Sequence, residues 1–186
     1  MSVRITKRLF TVSEYYQMAQ AGILSEDDRV ELLEGEIIEM SPISSRHAAC
    51  VDRLTRLFSE RVRGQAIVRV QNPVRLSAHS EPQPDLTLLR PRADFYGVAH
   101  PQPQDVLLLV EVCETSTHFD RRVKLPLYAK AGIPEVWLVD LTLDQIEVYR
   151  SPSKQGYSQI QTFVRGQSLT VETLPEIELN PEEILG

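Results

Sequence analysis

Cysteine is scarce in this chain: two residues among 186, Cys50 and Cys113, with neither the paired spacing of a zinc site nor a secretory context. Reduced thiols are therefore expected rather than a disulfide or a structural zinc. Long apolar runs are missing too. No stretch approaches the roughly 18 apolar residues of a membrane span. Met1 to Phe10 is basic but holds no apolar segment of signal-peptide length. The expectation is a cytoplasmic protein with no membrane partner. Positive charge is in deficit: 20 Lys and Arg against 26 Asp and Glu, a net charge of −6. This balance argues against a protein that coats nucleic acid through its phosphates. It leaves room for an enzyme acting on nucleic acid, because a carboxylate-rich site is negative until metal arrives. Arg53, Arg56, Arg61, Arg63 and Arg69 form a candidate basic face, a solvated helix surface being the plainer reading. No repeat, low-complexity tract or linker divides the chain, so residues 1–186 read as one domain.

What is present centres on Val106 to Cys113. Apolar residues fill every position from Val106 to Val112 except Glu111, the pattern of a strand buried on both faces. Alternation places Glu111 on the face shared with Leu107 and Leu109. An ionised carboxylate there is costly unless a cation, donors or a metal compensate it. Pro84-Asp85-Leu86-Thr87-Leu88-Leu89 repeats the oddity, an acid opening a second apolar strand.

Around this centre the chain reads as alternating helices and strands. Thr11 and Glu14 have capping-box spacing for a helix that runs to about Ala21 and stops at Gly22. Val30–Leu33 and Glu36–Met40 read as two strands turned through Glu34-Gly35. Ser44 or Ser45 caps a second helix that reaches to about Arg63 and ends at Gly64, with His47, Val51, Leu54 and Phe58 on one stripe. Strands are predicted at Ile67–Val70, Val74–Leu76 and Leu86–Leu89, then an irregular loop from Arg90 to Gln104. After the central strand, Phe119, Val123, Leu127 and Ala131 give a helix its apolar stripe beside the row Asp120, Lys124, Tyr128, and Pro126 kinks or restarts it. Glu135–Asp140 is expected to pair with the central strand through a crossover. Gln145–Tyr149 and Ser158–Val164 form an antiparallel pair, Ser168–Val171 one more strand, and the tail from Glu172 lies over the sheet. The fold class is α/β, a mixed sheet flanked by helices.

Asp85 and Glu111 on neighbouring strands make a cradle for magnesium or manganese, which prefer oxygen ligands and keep part of their water. Such an ion activates water and stabilises charge on a phosphodiester in transition. Lys124 is the nearest lysine; its plain alternative is an exposed ion pair with Asp120 four residues earlier. Glu31 is a third acid, with Glu34 its rival because sequence alone does not say which turns inward. His47 reads more simply as a satisfied helix-start histidine, and Trp137 and Tyr128 as packing.

Pro84-Asp85 followed by Glu111-x-Cys113 resembles the PD-(D/E)XK nuclease motif. The run Val110-Glu-Val-Cys-Glu-Thr-Ser-Thr117, then Asp120, Lys124 and Tyr128, then Ala131 to Asp140, resembles the Uma-type restriction endonuclease family. So does Glu31 to Pro42 with His47 following, and the likeness spans about residues 10 to 150. It implies a restriction-endonuclease-like core and divalent-metal-dependent cleavage of DNA. It also implies Asp85 and Glu111 as metal ligands, Lys124 as base or electrostatic aid, and Glu31 as an auxiliary acid. His47, Cys113 and Asp120 are further auxiliary candidates. The chain departs from the superfamily motif two residues after Glu111, where Cys113 stands in place of lysine. The resemblance suggests that the lysine has moved to Lys124. Double-strand cleavage needs two sites, hence an expected homodimer. The competing reading is a catalytically inactive module of the same fold that binds a partner.

Overall fold

The structure is a computed structural model and describes residues 6–25 and 27–186. The first five residues of the basic start, Met1 to Phe10, thus lie outside the described residues. Helix α1 spans Val12–Gln20 and begins as the spacing predicts. The Thr11 hydroxyl accepts from the Glu14 amide and the Glu14 carboxylate accepts from the Thr11 amide, so two exposed donors at the helix start are satisfied. Strands β1 (Val30–Leu33) and β2 (Glu36–Glu39) form an antiparallel hairpin. Glu34 and Gly35 at its turn both take positive φ, the geometry a two-residue hairpin demands. A side chain at Gly35 would also strike Leu9, its Cβ falling 2.7 Å from that residue's Cβ.

Helix α2 (Ser45–Arg61) is capped by the Ser44 hydroxyl and buries Cys50, Val51, Leu54, Leu57 and Phe58. Beneath it runs a six-stranded mixed sheet in the order β3 (Ile67–Val70), β4 (Leu86–Leu89), β5 (Val106–Cys113), β6 (Glu135–Asp140), β7 (Gln145–Ser153), β8 (Gly156–Phe163). Only β5 and β6 are parallel; every other neighbour pair is antiparallel. All eight residues of β5 are buried, as a central strand covered on both faces requires. Alternation is broken at its start. The β4–β5 register slips between Leu88 and Leu89, so Leu107 joins Leu108 on the α2 face while Glu111 shares its face with Leu109 and Cys113.

Between β5 and β6 the chain forms α3 (Thr117–Phe119), a π-helical turn over Asp120–Lys124, and α4 (Leu125–Ala131). The helix does restart near Pro126, which lacks the amide needed to continue an α-helical ladder. The buried row is not the expected one. Asp120, Lys124 and Tyr128 face inward, while of the apolar stripe only Leu127 is buried. Phe119, Val123, Leu127 and Ala131 instead line an open groove with Leu33, Ile38 and Leu76. Lys124 and Tyr128 turn in toward the buried carboxylates of Glu111 and Glu31, and Asp120 toward the Cys113 thiol and the Ser116 hydroxyl.

One further expectation fails, and two hold with added detail. Val74–Leu76 is not a strand: Val74, Arg75 and Leu76 send their amides to Pro82, Pro101 and Ser80, an irregular path between prolines. The strand β9 (Leu169–Val171) does not extend the main sheet but pairs with β10 (Leu174–Leu179). The tail is regular, β10 leading into α5 (Pro181–Leu185), and its Leu174, Ile177, Leu179, Ile184 and Leu185 do pack over the α2 face of the sheet. No helix is long and apolar enough to cross a membrane among the described residues.

Candidate active site

The antiparallel register of β4 and β5 builds the site. Leu86 pairs with Val110, so one step further along Asp85 lies across from Glu111. Asp85 is anchored there: its Oδ2 accepts from the Val112 amide at 2.9 Å and meets His47 Nε2 at 3.1 Å, and Gln71 Nε2 donates to Oδ1 at 3.3 Å. His47 projects from the first turn of α2, fixed by the Ser44 cap. Its hydrogen bond to Asp85 raises the imidazole pKa against the opposing effect of burial.

Glu111 is surrounded by charge. Lys124 Nζ stands 3.2 Å from its Oε1 and Tyr128 donates its hydroxyl to the same oxygen at 2.5 Å. Lys124 also meets Glu31 Oε1 at 3.1 Å, and the other oxygen of Glu31 accepts from the Gln83 amide. Burial pushes the Glu111 carboxyl up to about 8; Lys124 opposes that, while Asp120, Asp85 and Glu31 add to it. Burial alone would lower the Lys124 ammonium, but Glu111 and Glu31 outweigh it and the pKa rises. The lysine therefore stays protonated.

Between the two expected forms of Glu31 and Glu34 the hairpin decides. Glu31 is buried; Glu34 sits at the turn, exposed, beside Lys130. Cys113 follows Glu111 on the same face but reaches Asp120, donating its thiol at 3.1 Å. Burial and then Asp120 push that thiol far up in pKa, so it is inert. Asp120 also accepts from the Ser116 hydroxyl at 2.6 Å. Lys124 thus pairs with Glu31 and Glu111 rather than forming the exposed i,i+4 pair with Asp120.

Glu31, His47, Asp85, Glu111, Asp120 and Lys124 all line one cleft of about 450 Å³. Asp85 and Glu111 bring hard oxygen donors to a space with room for water, which suits a small divalent ion that keeps part of its hydration shell. Among the described residues there is no group of three or more His, Cys, Asp or Glu side chains arranged as an all-protein metal cage.

A family model described as "Uma2: Putative restriction endonuclease" matches residues 12–182. The chain belongs to the Uma2 family. Its fold is also that of a crystal structure titled as a putative nuclease belonging to DUF820 from Anabaena variabilis. The two share 18% sequence identity at a TM-score of 0.74, over 95% of this chain and 97% of that one. No curated protein matches the chain. The fold is therefore the restriction-endonuclease-like mixed sheet that the resemblance implies.

Two features of this Uma2 chain escape sequence reading. Tyr128 is packed in the core but also donates a hydrogen bond to Glu111; its place four residues after Lys124 on one row was the available signal. The basic face is largely spent inside the fold. Arg53 donates to the carbonyls of Ile184 and Leu185, and Arg61 to the Glu178 carbonyl and the Glu183 carboxylate. Arg69 reaches Asn72. Only Arg56 and Arg63 of the five are exposed.

Proposed function

We propose that this Uma2 chain is a divalent-metal-dependent endonuclease that hydrolyses DNA phosphodiester bonds, acting as one nuclease domain and as a homodimer. The observation that carries the reading is the opening of Asp85, Glu111, Lys124 and Glu31 into one cleft. Membership of a family described as restriction endonucleases supports it. Asp85 and Glu111 would hold magnesium or manganese. Such an ion, when bound, supplies Lewis-acid stabilisation of the phosphate and a more acidic water. Lys124, held between Glu111 and Glu31, keeps its charge and offers it to the phosphate as negative charge develops in the transition state. It serves as an electrostatic aid rather than a base, because it does not give up its proton near neutral pH. Glu31 positions Lys124, and His47 positions Asp85.

Incubation of the pure protein with supercoiled plasmid and magnesium or manganese tests the reading. Nicking should appear with the ion, stop with chelator, and be lost in Asp85→Ala and Glu111→Ala. Nicking that survives in both variants would overturn it.

One observation favours a second reading, an inactive module that binds a partner. The rim of the cleft carries Glu39 and Glu114, and the arginines of α2 are largely engaged elsewhere, so few cations face a phosphate backbone. Calorimetry separates the two: no metal binding at millimolar concentration supports the inactive module.

A further inference from the structure

We infer that Tyr128 sets the ion-size selectivity of the metal site by restricting Glu111 to ligation through one oxygen. The inference rests on the proposed role of Asp85 and Glu111 as metal ligands. Oxygen Oε1 of Glu111 already accepts from the Tyr128 hydroxyl at 2.5 Å and from Lys124 Nζ at 3.2 Å. Oxygen Oε2 has no hydrogen-bond partner among the described residues, and it is not one of the sealed, unpartnered polar atoms of the interior. The residue itself lines the cleft. One oxygen is thus committed to the protein and the other is left for a ligand.

The restraint is stiff. Tyr128 is completely buried, its ring packed in the cluster of Cys113, Leu125, Ile133 and Leu138. Water cannot reach its hydroxyl to replace a lost acceptor, and an unpartnered buried hydroxyl is costly. A carboxylate that chelates through both oxygens would have to turn Oε1 away from Tyr128 and Lys124. Calcium favours such two-oxygen ligation in crowded, flexible shells, whereas magnesium takes single oxygens at near-octahedral positions and keeps waters. A phenol fixed on Oε1 therefore discriminates against the larger ion.

The test is calorimetric titration of the full chain with magnesium and separately with calcium, for wild type, Tyr128→Phe and Asp85→Ala. Removing a partner that orients a metal ligand shifts affinity by about 10–100-fold. In Tyr128→Phe the ratio of magnesium to calcium affinity should accordingly fall about tenfold. A ratio unchanged in Tyr128→Phe, with wild-type binding still abolished by Asp85→Ala, overturns the selectivity role and leaves the metal reading standing. Binding of neither ion by wild type overturns both. Should Tyr128→Phe melt far below wild type, crystals of the wild-type protein soaked in calcium decide. Contact through Oε2 alone, with the phenol still on Oε1, supports the inference; both oxygens on the ion overturn it.

Discussion

Lys124 Nζ and Glu111 Oε1 are 3.2 Å apart across 13 residues of chain, and both side chains are almost out of water. Glu31 completes the arrangement at 3.1 Å from the same nitrogen. Removing the lysine leaves two buried carboxylates facing each other without a cation. Lys124→Met should therefore lose about 3–5 kcal/mol of stability, the usual cost of breaking a buried pair, measured by urea unfolding. Adding Glu31→Gln to it should recover part of that loss without restoring plasmid nicking.

Cys113 occupies the motif's lysine position but takes no part in the proposed chemistry. Cys113→Ala should keep nicking activity and cost about 1 kcal/mol, an ordinary value for a buried truncation. Burial pushes both thiols up in pKa, Cys50 to about 11. Neither should react with a thiol reagent at pH 8 in the native protein, and both should react in urea. Rapid native labelling of Cys113 would contradict its enclosed position.

Metal binding should register in stability before it registers in catalysis. An ion that binds only the folded state stabilises it by about 2.7 kcal/mol at a hundred times its dissociation constant. Magnesium or manganese should thus raise the melting temperature of the wild type and leave that of Asp85→Ala unmoved. An equal rise in both would place the ion elsewhere.

Arg53 fastens the end of the chain to α2. Arg53→Ala should cost about 1–3 kcal/mol, the scale of hydrogen bonds made by a charged donor, and loosen α5. Hydrogen exchange over Pro181–Leu185 reads this directly. If the arginine served DNA instead, the variant would lose DNA affinity with α5 still protected.

A pH dependence follows from His100. Its ring stacks on Tyr16 at 6.4 Å between centroids, and Nδ1 is buried without a partner among the described residues. Burial lowers its pKa, with Glu81 opposing and Arg69 and Arg75 reinforcing. The unfolded chain thus binds the proton more readily. Its contribution to stability is full above the unfolded value of about 6.5 and is lost as pH falls from there through the lowered folded value. Unfolding midpoints at pH 7.5 and pH 5 should differ less in His100→Gln than in the wild type.

Much of this architecture was legible residue by residue. The capping box at Thr11, the hairpin turn at Glu34-Gly35 and the buried strand over Val106–Cys113 each follow from chemistry confined to a few neighbours. Period-two alternation misplaced Leu107, because a slip in register depends on the partner strand. The hairpin of β9 and β10 was missed for the same reason: its apolar residues gain meaning only from the sheet they cover.

By itself the sequence determined that one acid would stand within a core strand and another would open its neighbour, since burial of Val106–Cys113 and Leu86–Leu89 is written in their composition. It determined as well that a polar row, Asp120, Lys124 and Tyr128, would run along one side of the following helix. The tertiary structure alone decided that this row, and not the apolar stripe beside it, turns inward. It also decided that Glu31 rather than Glu34 meets the lysine, that His47 reaches Asp85, and that Tyr128 takes one oxygen of Glu111. The physical reason is that a buried charge is settled by whichever opposite charge or donor the fold brings within about 3 Å, and such partners come from distant parts of the chain.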